Sequence, residues 1–444
     1  MNIKKELLVL SIFVLIVSIS QSIILRHHLE FGFTPDDVRF ISDFLALDSP
    51  FSKISQVWKD LGIYQTPHLY YSGIVFSLFG FNYLSYQIAA LIFKILSIVT
   101  FYLLIQVIFK NRLLSFTSGL VFSFQYSSFG SMEMVSRTQD YLLICGLNIF
   151  FMLFYLIFTG KFKGIFWSIF TSVVLFCTFF INPARTYPLI PFICFLGFIF
   201  FLKNKSKSNF FRVIKNLLML FLPFVLFNFF TGKGDASFGN SSTIIQKIFV
   251  GNLQMLLTPF SSFGSLFLQN DLLKFLSSPT WALPDFLGYF MGGPLIILGI
   301  TTLILSIILS KKPLRFFLGI FITNFLLELL IFLSIDVGRN LPDSLKMTYD
   351  AYTFTPTAVL GAYILALTVF IFIEWLQDKT NKILALYLLG IVFSATFVWF
   401  TWIVYSLVHI PMGIYGYSTI PSMGVSAAIS SIAVFSYIKI KNQK

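Results

Sequence analysis

The sequence predicts an all-α, polytopic helical membrane protein with about twelve transmembrane helices and interfacial helices in its outer loops. Three observations predict it. Hydrophobic residues make up 57% of the chain and charged residues 11%, with a mean hydropathy of +0.86. Apolar runs of about 18 or more residues recur from end to end, which no soluble globule accommodates. The runs are continuous rather than alternating, which excludes the β-barrel, the other fold that satisfies its backbone in lipid.

The first run, Leu7 to Leu25, follows Lys4 and Lys5, and no small-residue cleavage site comes after it. It reads as a retained span, and an uncleaved signal anchor would look the same. Windows of about 20 apolar residues then place spans at 84–109, 113–130, 141–159, 164–181, 188–202, 213–230, 288–309, 316–335, 354–374, 383–405 and 420–438. The stretch 66–80 is apolar but too short to span, so it is expected as a re-entrant or interfacial helix.

Loop charges set the expected topology. Most of the 31 basic residues fall in very short loops on the N-terminal side of the membrane, such as Lys110-Asn111-Arg112 and Lys311-Lys312. Most of the 18 acidic residues fall on the other side. This positive-inside pattern puts both termini in the cytoplasm. It leaves long outer segments at 26–83, 231–287 and 336–353, where function is expected. The 231–287 loop carries Phe249, Leu253, Phe260, Phe263 and Phe267, so amphipathic helices on the outer leaflet are expected there.

A net charge of +13 can signal nucleic acid, but these lysines are dispersed over loops, where topology and anionic headgroups account for them. No nucleic-acid partner is expected. Cys145, Cys177 and Cys194 all lie in apolar runs and form neither a disulfide framework nor a metal spacing. The Lys/Phe/Ile bias points to a prokaryotic cell membrane.

Charge is scarce enough that its clusters are informative. The first outer segment holds Asp36, Asp37, Arg39, Asp43 and Asp48. Adjacent carboxylates repel and cost desolvation when buried, so Asp36-Asp37 is a candidate for a general base or a metal ligand. The structural reading is a solvated first helical turn capped through Thr34-Pro35-Asp36. A second cluster, Glu133, Arg137 and Asp140, has the three- and four-residue spacing of local ion pairs. Arg185 stands in Asn182-Pro-Ala-Arg-Thr-Tyr-Pro188, and Arg339 and Lys346 stand near Tyr349 and Tyr352. Arginine suits phosphate because its planar fork donates two parallel hydrogen bonds, although singly each could be an interfacial anchor. Lys94 and Glu328 lie within spans and could pair, or Lys94 could snorkel.

Three segments then resemble the GT-C superfamily of polyprenyl-phosphate-sugar-dependent glycosyltransferases, which includes protein O-mannosyltransferases and aminoarabinose transferases. They are Asp36-Asp37 after the first span, Thr66-Pro-His-Leu-Tyr-Tyr71 with Leu78-Phe-Gly80, and Glu133-Met-Val-Ser-Arg-Thr-Gln-Asp140. The resemblance covers residues 1–200, read as a catalytic transmembrane module containing outer loop 26–83. Residues 201–444 are read as a variable transmembrane module containing outer loop 231–287, similar in architecture only.

The resemblance implies transfer of a sugar from a polyprenyl-phosphate donor to a hydroxyl of a protein, glycolipid or polysaccharide acceptor on the outer face. Asp36, Asp37 and Asp140 are then the catalytic acids, with Asp36 as base. Arg137, Arg185, Arg339 and Lys346 would hold the donor phosphate. Glu133, His68, Tyr70, Tyr349 and Tyr352 would contact substrate. Mg or Mn stays open as a cofactor, with Asp37 and Asp140 as its ligands; the second outer loop carries no Asp-x-Asp or Asp-x-Glu. The competing expectation is a flippase for lipid-linked sugars or envelope precursors, and a third is an inactive assembly subunit. No paired Gly/Pro-broken segments of the transporter kind are found.

Overall fold

The computed structural model describes residues 3–26, 32–48, 50–51, 54–132, 134–203, 207–231, 257–268, 293–310, 312–339, 351–405 and 418–443. Among these every regular element is helical and no strand occurs. The chain divides into two compact units, Met1–Ser237 and Phe238–Lys444. The division expected after residue 200 therefore falls inside a helix of the first unit.

The first unit is built from α1 (Ile3–Leu25), α2 (Pro35–Leu45), α3 (Ile54–Phe79), α4 (Tyr83–Phe109) and α5 (Arg112–Phe124). It continues through α6 (Gln139–Phe158), α7 (Ile165–Ile181), the single turn α8 (Pro183–Thr186), α9 (Ile190–Lys203) and α10 (Lys207–Thr231). Helix α1 packs on α4 and α5, α4 on α6, α6 on α7, and α7 on α10. Apolar side chains cannot drive this packing by leaving water when the alternative surroundings are lipid, so shape and interhelical hydrogen bonds carry more of it. Gln21 of α1 donates to Ser123 Oγ of α5 at 2.7 Å. Asn148 of α6 donates to Thr100 Oγ1 of α4 at 3.1 Å. Glu6 and Arg112 pair at the other end of the α1–α5 contact.

Turns follow from local chemistry. Lys110 ends α4 in the left-handed region, with φ 53°, and its N–H returns to Gln106 O. Asn111 then caps α5 by accepting the Leu114 N–H. Two expectations need correction here. The 113–130 window is helical only to Phe124, after which Tyr126–Ser128 forms a 3-10 turn. The 66–80 segment is no separate helix: α3 runs unbroken from Ile54, with Pro67 inside it.

The second unit contains α11 (Leu257–Ser265), α12 (Gly293–Leu309), α13 (Pro313–Arg339), α14 (Ala351–Gln377), α15 (Lys382–Tyr405) and α16 (Ser422–Gln443). Helix α11 lies in the 231–287 segment, expected to be a long outer loop, but does not fit the expected surface-lying helix. Its Phe263 is fully buried, and Phe263 and Leu266 join a core with Leu360, Ile364 and Ile391. Glycines make the approach of α11 to α14 possible: a Cβ on Gly264 would lie 1.9 Å from Thr357 O. A hydrogen bond between Ser261 and Thr357 closes the same contact.

Among the described residues, six helical stretches are long and apolar enough to cross a membrane: Glu6–Ile24, Tyr83–Phe109, Val135–Phe158, Thr357–Gln377, Lys382–Thr401 and Ser422–Asn442. Their outward faces are apolar. Leu7, Leu15, Ile19 and Ile23 line α1, and each is more than half exposed. Such stripes are tolerable in lipid and not in water, so the chain is an integral membrane protein.

Candidate functional site

The Asp-Asp pair resolves into two different residues. Thr34 is the N-cap of α2 and Pro35 occupies the first helical position, where a missing N–H costs nothing. Asp37 takes the third helical position and completes a capping box: Thr34 Oγ1 accepts the Asp37 N–H, and Asp37 Oδ2 accepts the Thr34 N–H at 3.1 Å. Asp37 is fully buried, whereas Asp36 is exposed on the same turn. Beyond it, Arg39 and Asp43 form an exposed i,i+4 pair at 3.6 Å.

Asp37 also reaches across the chain. Its Oδ1 accepts the Ser136 N–H at 2.8 Å and its Oδ2 the Val135 N–H at 3.3 Å. These belong to the 3-10 turn Val135–Arg137, which leads into α6. With the Thr34 hydroxyl added at 2.8 Å, the carboxylate has four donors. Tyr86, Val135 and Val75 pack with Phe33, Tyr71 and Tyr83 beside it, which keeps water off these bonds.

Asp140 sits in the first turn of α6, fully buried. Local spacing pairs it with Arg137, but its ion pair is with Arg185 of α8, at 3.7 Å. Ser131 Oγ donates to the same carboxylate oxygen at 2.9 Å, and Oδ1 accepts no hydrogen bond. Arg185 is placed by its own turn. Pro183 starts α8, and the N-cap Asn182 accepts the Arg185 N–H at 3.3 Å. Arg185 is 3% exposed.

Helix α3 supplies the third side. His68 Nδ1 lies 2.9 Å from Ser136 O and 2.7 Å from the Gln139 amide nitrogen. Tyr71 OH meets Thr138 Oγ1 at 2.6 Å, and that hydroxyl donates to Val135 O, so Tyr71 is the donor. Burial lowers the His68 pKa to about 4; the hydrogen bond to Ser136 and the Asp140 charge oppose this, and Arg185 and Arg137 add to it. Burial also pushes Tyr71 up to about 12.

The structure thus brings together Asp37, Asp140, Arg137, Arg185 and His68, all around the 135–140 turn. It does not place Tyr70 there: its hydroxyl donates to Pro50 O at 2.6 Å, in the α2–α3 connection. Tyr71 takes the place expected of Tyr70. Residues 68 and 71 share a helix face and residue 70 does not, so helical spacing held that signal. Ser131, Thr138, Gln139 and Asn182 carry no comparable sequence signal. Glu133, Lys346 and Tyr349 lie outside the described residues, as do the side chains of Arg339 and Tyr352 in α13 and α14.

The residues do not fit the divalent cation left open at Asp37 and Asp140. Four donors occupy Asp37, and a guanidinium faces Asp140. Among the described residues no group of three or more His, Cys, Asp or Glu converges. Nearby, Lys94 of α4 is fully buried and its Nζ makes no hydrogen bond. Its Nζ stands 2.8 Å from the Phe129 ring centroid and 5.7 Å from that of Tyr141. The side chain of Glu328 lies outside the described residues.

Taken together these residues make a buried acid–arginine pair with a neutral imidazole, set at the start of α6, a helix long and apolar enough to cross a membrane. No protein-family model, curated protein or solved structure matches the chain.

Proposed function

We propose that the protein is a membrane glycosyltransferase that moves a sugar from a polyprenyl-phosphate donor to an acceptor hydroxyl at the outer face, on a GT-C-like fold. The observation that supports this best is the buried Asp140–Arg185 pair beside His68, on a turn that Asp37 ties to α2. In this reading α5, α7, α9, α10, α12 and α13 complete a bundle of about twelve spans, with both termini cytoplasmic.

Each group then has a chemical task. The acceptor hydroxyl is a weak nucleophile, and exposed Asp36 takes its proton as the new bond to the anomeric carbon forms. The bond from that carbon to the phosphate oxygen breaks, and the electron pair leaves with the polyprenyl phosphate. Arg185 and Arg137 stabilise the growing phosphate charge. Asp140 holds the Arg185 fork in place beforehand, because an unpaired guanidinium would be costly there. Asp37, saturated by four donors, orients Asp36 and the turn and takes no proton.

The test is turnover of lipid-linked sugars by the purified protein in nanodiscs, reading released polyprenyl phosphate. Asp36→Asn and Arg185→Ala are expected to lower kcat by two or more orders of magnitude. Full activity of a folded Asp36→Asn variant rules out that base. Movement of intact donor between leaflets, with no sugar released, would establish the flippase instead.

A further inference from the structure

The two contacts at His68 Nδ1 make incompatible demands on that atom. Ser136 O is a backbone carbonyl and can only accept, so at 2.9 Å it requires a proton on Nδ1. The Gln139 amide nitrogen, 2.7 Å from the same atom, can only donate and requires a lone pair there. Only one of the two groups can keep that role. A carbonyl oxygen cannot be exchanged for anything else, whereas the oxygen and nitrogen of a glutamine amide are interchangeable by rotation. Gln139 therefore turns its oxygen to the ring, and Nδ1–H is shared between two acceptors.

That settles the other nitrogen. A neutral imidazole protonated on Nδ1 carries its lone pair on Nε2, on the far edge of the ring. Phe40 covers the ring, with centroids 5.6 Å apart and planes inclined by 31°, yet the residue keeps part of its surface accessible. The site otherwise offers charges and donors: Asp140 is held by Arg185 and Ser131, and Arg137 adds a second cation.

We infer that His68 is locked in its Nδ1–H tautomer by Ser136 and presents Nε2 as a neutral acceptor for a hydroxyl of the substrate, a sugar or the acceptor polyol. The inference rests on the glycosyl-transfer reading for the substrate, and on geometry alone for the tautomer. The burial that keeps the ring neutral at physiological pH agrees with it. An accepting nitrogen selects a hydroxyl over an ether or a deoxy position, because only the hydroxyl brings a proton. Proton abstraction stays with Asp36.

Two readouts test it. Nitrogen-15 spectra of histidine-labelled protein in nanodiscs report the protonated ring nitrogen; the chain has 4 histidines, and the signal lost in His68→Asn identifies this one. A proton on Nδ1 is expected, and a proton on Nε2 overturns the inference whatever the protein turns over. In activity, an Asn amide reproduces the Nδ1 donor but not Nε2, and a Gln amide reaches the Nε2 position. His68→Asn is expected to keep its melting temperature and raise KM about tenfold, the worth of one lost hydrogen bond. His68→Gln is expected to lower KM back toward wild type while melting earlier, since Ser136 O loses its donor. An unchanged KM in His68→Asn, with the expected tautomer, overturns the hydroxyl role. Wild-type protein inert toward every lipid-linked sugar overturns the proposed function and this role together, while the tautomer result stands separately.

Discussion

Asp37 accepts the Ser136 N–H at 2.8 Å, a bond between residues 99 positions apart that fixes the start of α2 against the turn leading into α6. Much of the candidate site is arranged around that turn. His68 bonds to Ser136, Tyr71 to Thr138, and Asp140 begins the helix that follows.

The adjacent acids should therefore respond differently to the same change. Asp37→Asn replaces one accepting oxygen with a donor facing backbone N–H groups. Losing charge-assisted bonds and leaving donors unpaired should cost about 2–4 kcal/mol, measured as an earlier melting transition in detergent. Asp36→Asn removes an exposed carboxylate with no buried partner, so its melting temperature should stay within about 1–2 °C of wild type. Equal destabilisation by the two variants would contradict the division of roles.

The Asp140–Arg185 pair should show strong coupling. Removing either partner leaves a buried charge uncompensated, at about 3–5 kcal/mol. Replacing both, as Asp140→Leu with Arg185→Met, removes both desolvation penalties and should recover most of that loss. A double-mutant cycle by thermal unfolding reads the interaction directly. Additive losses would mean that the two side chains do not share one pair.

Lys94 gives a prediction of the opposite sign. Its Nζ is fully buried, makes no hydrogen bond and lies over the Phe129 face, whose attraction for a cation is worth about 2 kcal/mol. Desolvating a charge costs several kcal/mol, so the attraction does not offset it. Lys94→Met keeps the stem and removes the charge, and should raise stability by about 1–3 kcal/mol. A destabilised Lys94→Met would show that the cation–π contact outweighs desolvation. Where stability rises, any accompanying fall in turnover would mark Lys94 as retained for activity, since natural chains keep destabilising groups chiefly at working sites.

The membrane-crossing helices were legible because hydropathy acts over some 20 consecutive residues and needs no knowledge of the fold. Elements set by tertiary contact were not. The 66–80 stretch looked like a separate short helix because the residues before it, with Lys59, Asp60 and Gln65, break the apolar run, and a proline such as Pro67 usually marks a helix boundary. Helix α11 looked interfacial because its sequence does not show that Gly361 lets its backbone approach another helix. At the site, the Thr34 cap was visible locally, but the bonds from Asp37 to Val135 and Ser136 span too much chain to leave a local pattern. Arg137 stood nearest Asp140 in sequence, yet the ion pair of Asp140 is with Arg185 of another turn. Spacing proposes partners only within one helix.

The pH dependence of stability should carry the signature of His68. Its folded-state pKa, about 4, lies below the usual value of 6.5. Between those values the unfolded chain binds a proton that the folded chain does not, so stability rises with pH across the interval. The contribution is fully present above pH 6.5 and is lost progressively as pH falls toward 4. Carboxylates titrate in the same range, so the comparison must be with His68→Asn, which lacks only this group. The stability of wild type relative to His68→Asn should fall by about 1–3 kcal/mol between pH 7 and pH 4, read from melting curves across a buffer series. A difference that stays flat would mean that the ring charges freely in the folded protein. A difference that grows on acidification would place a stabilised imidazolium beside Asp140.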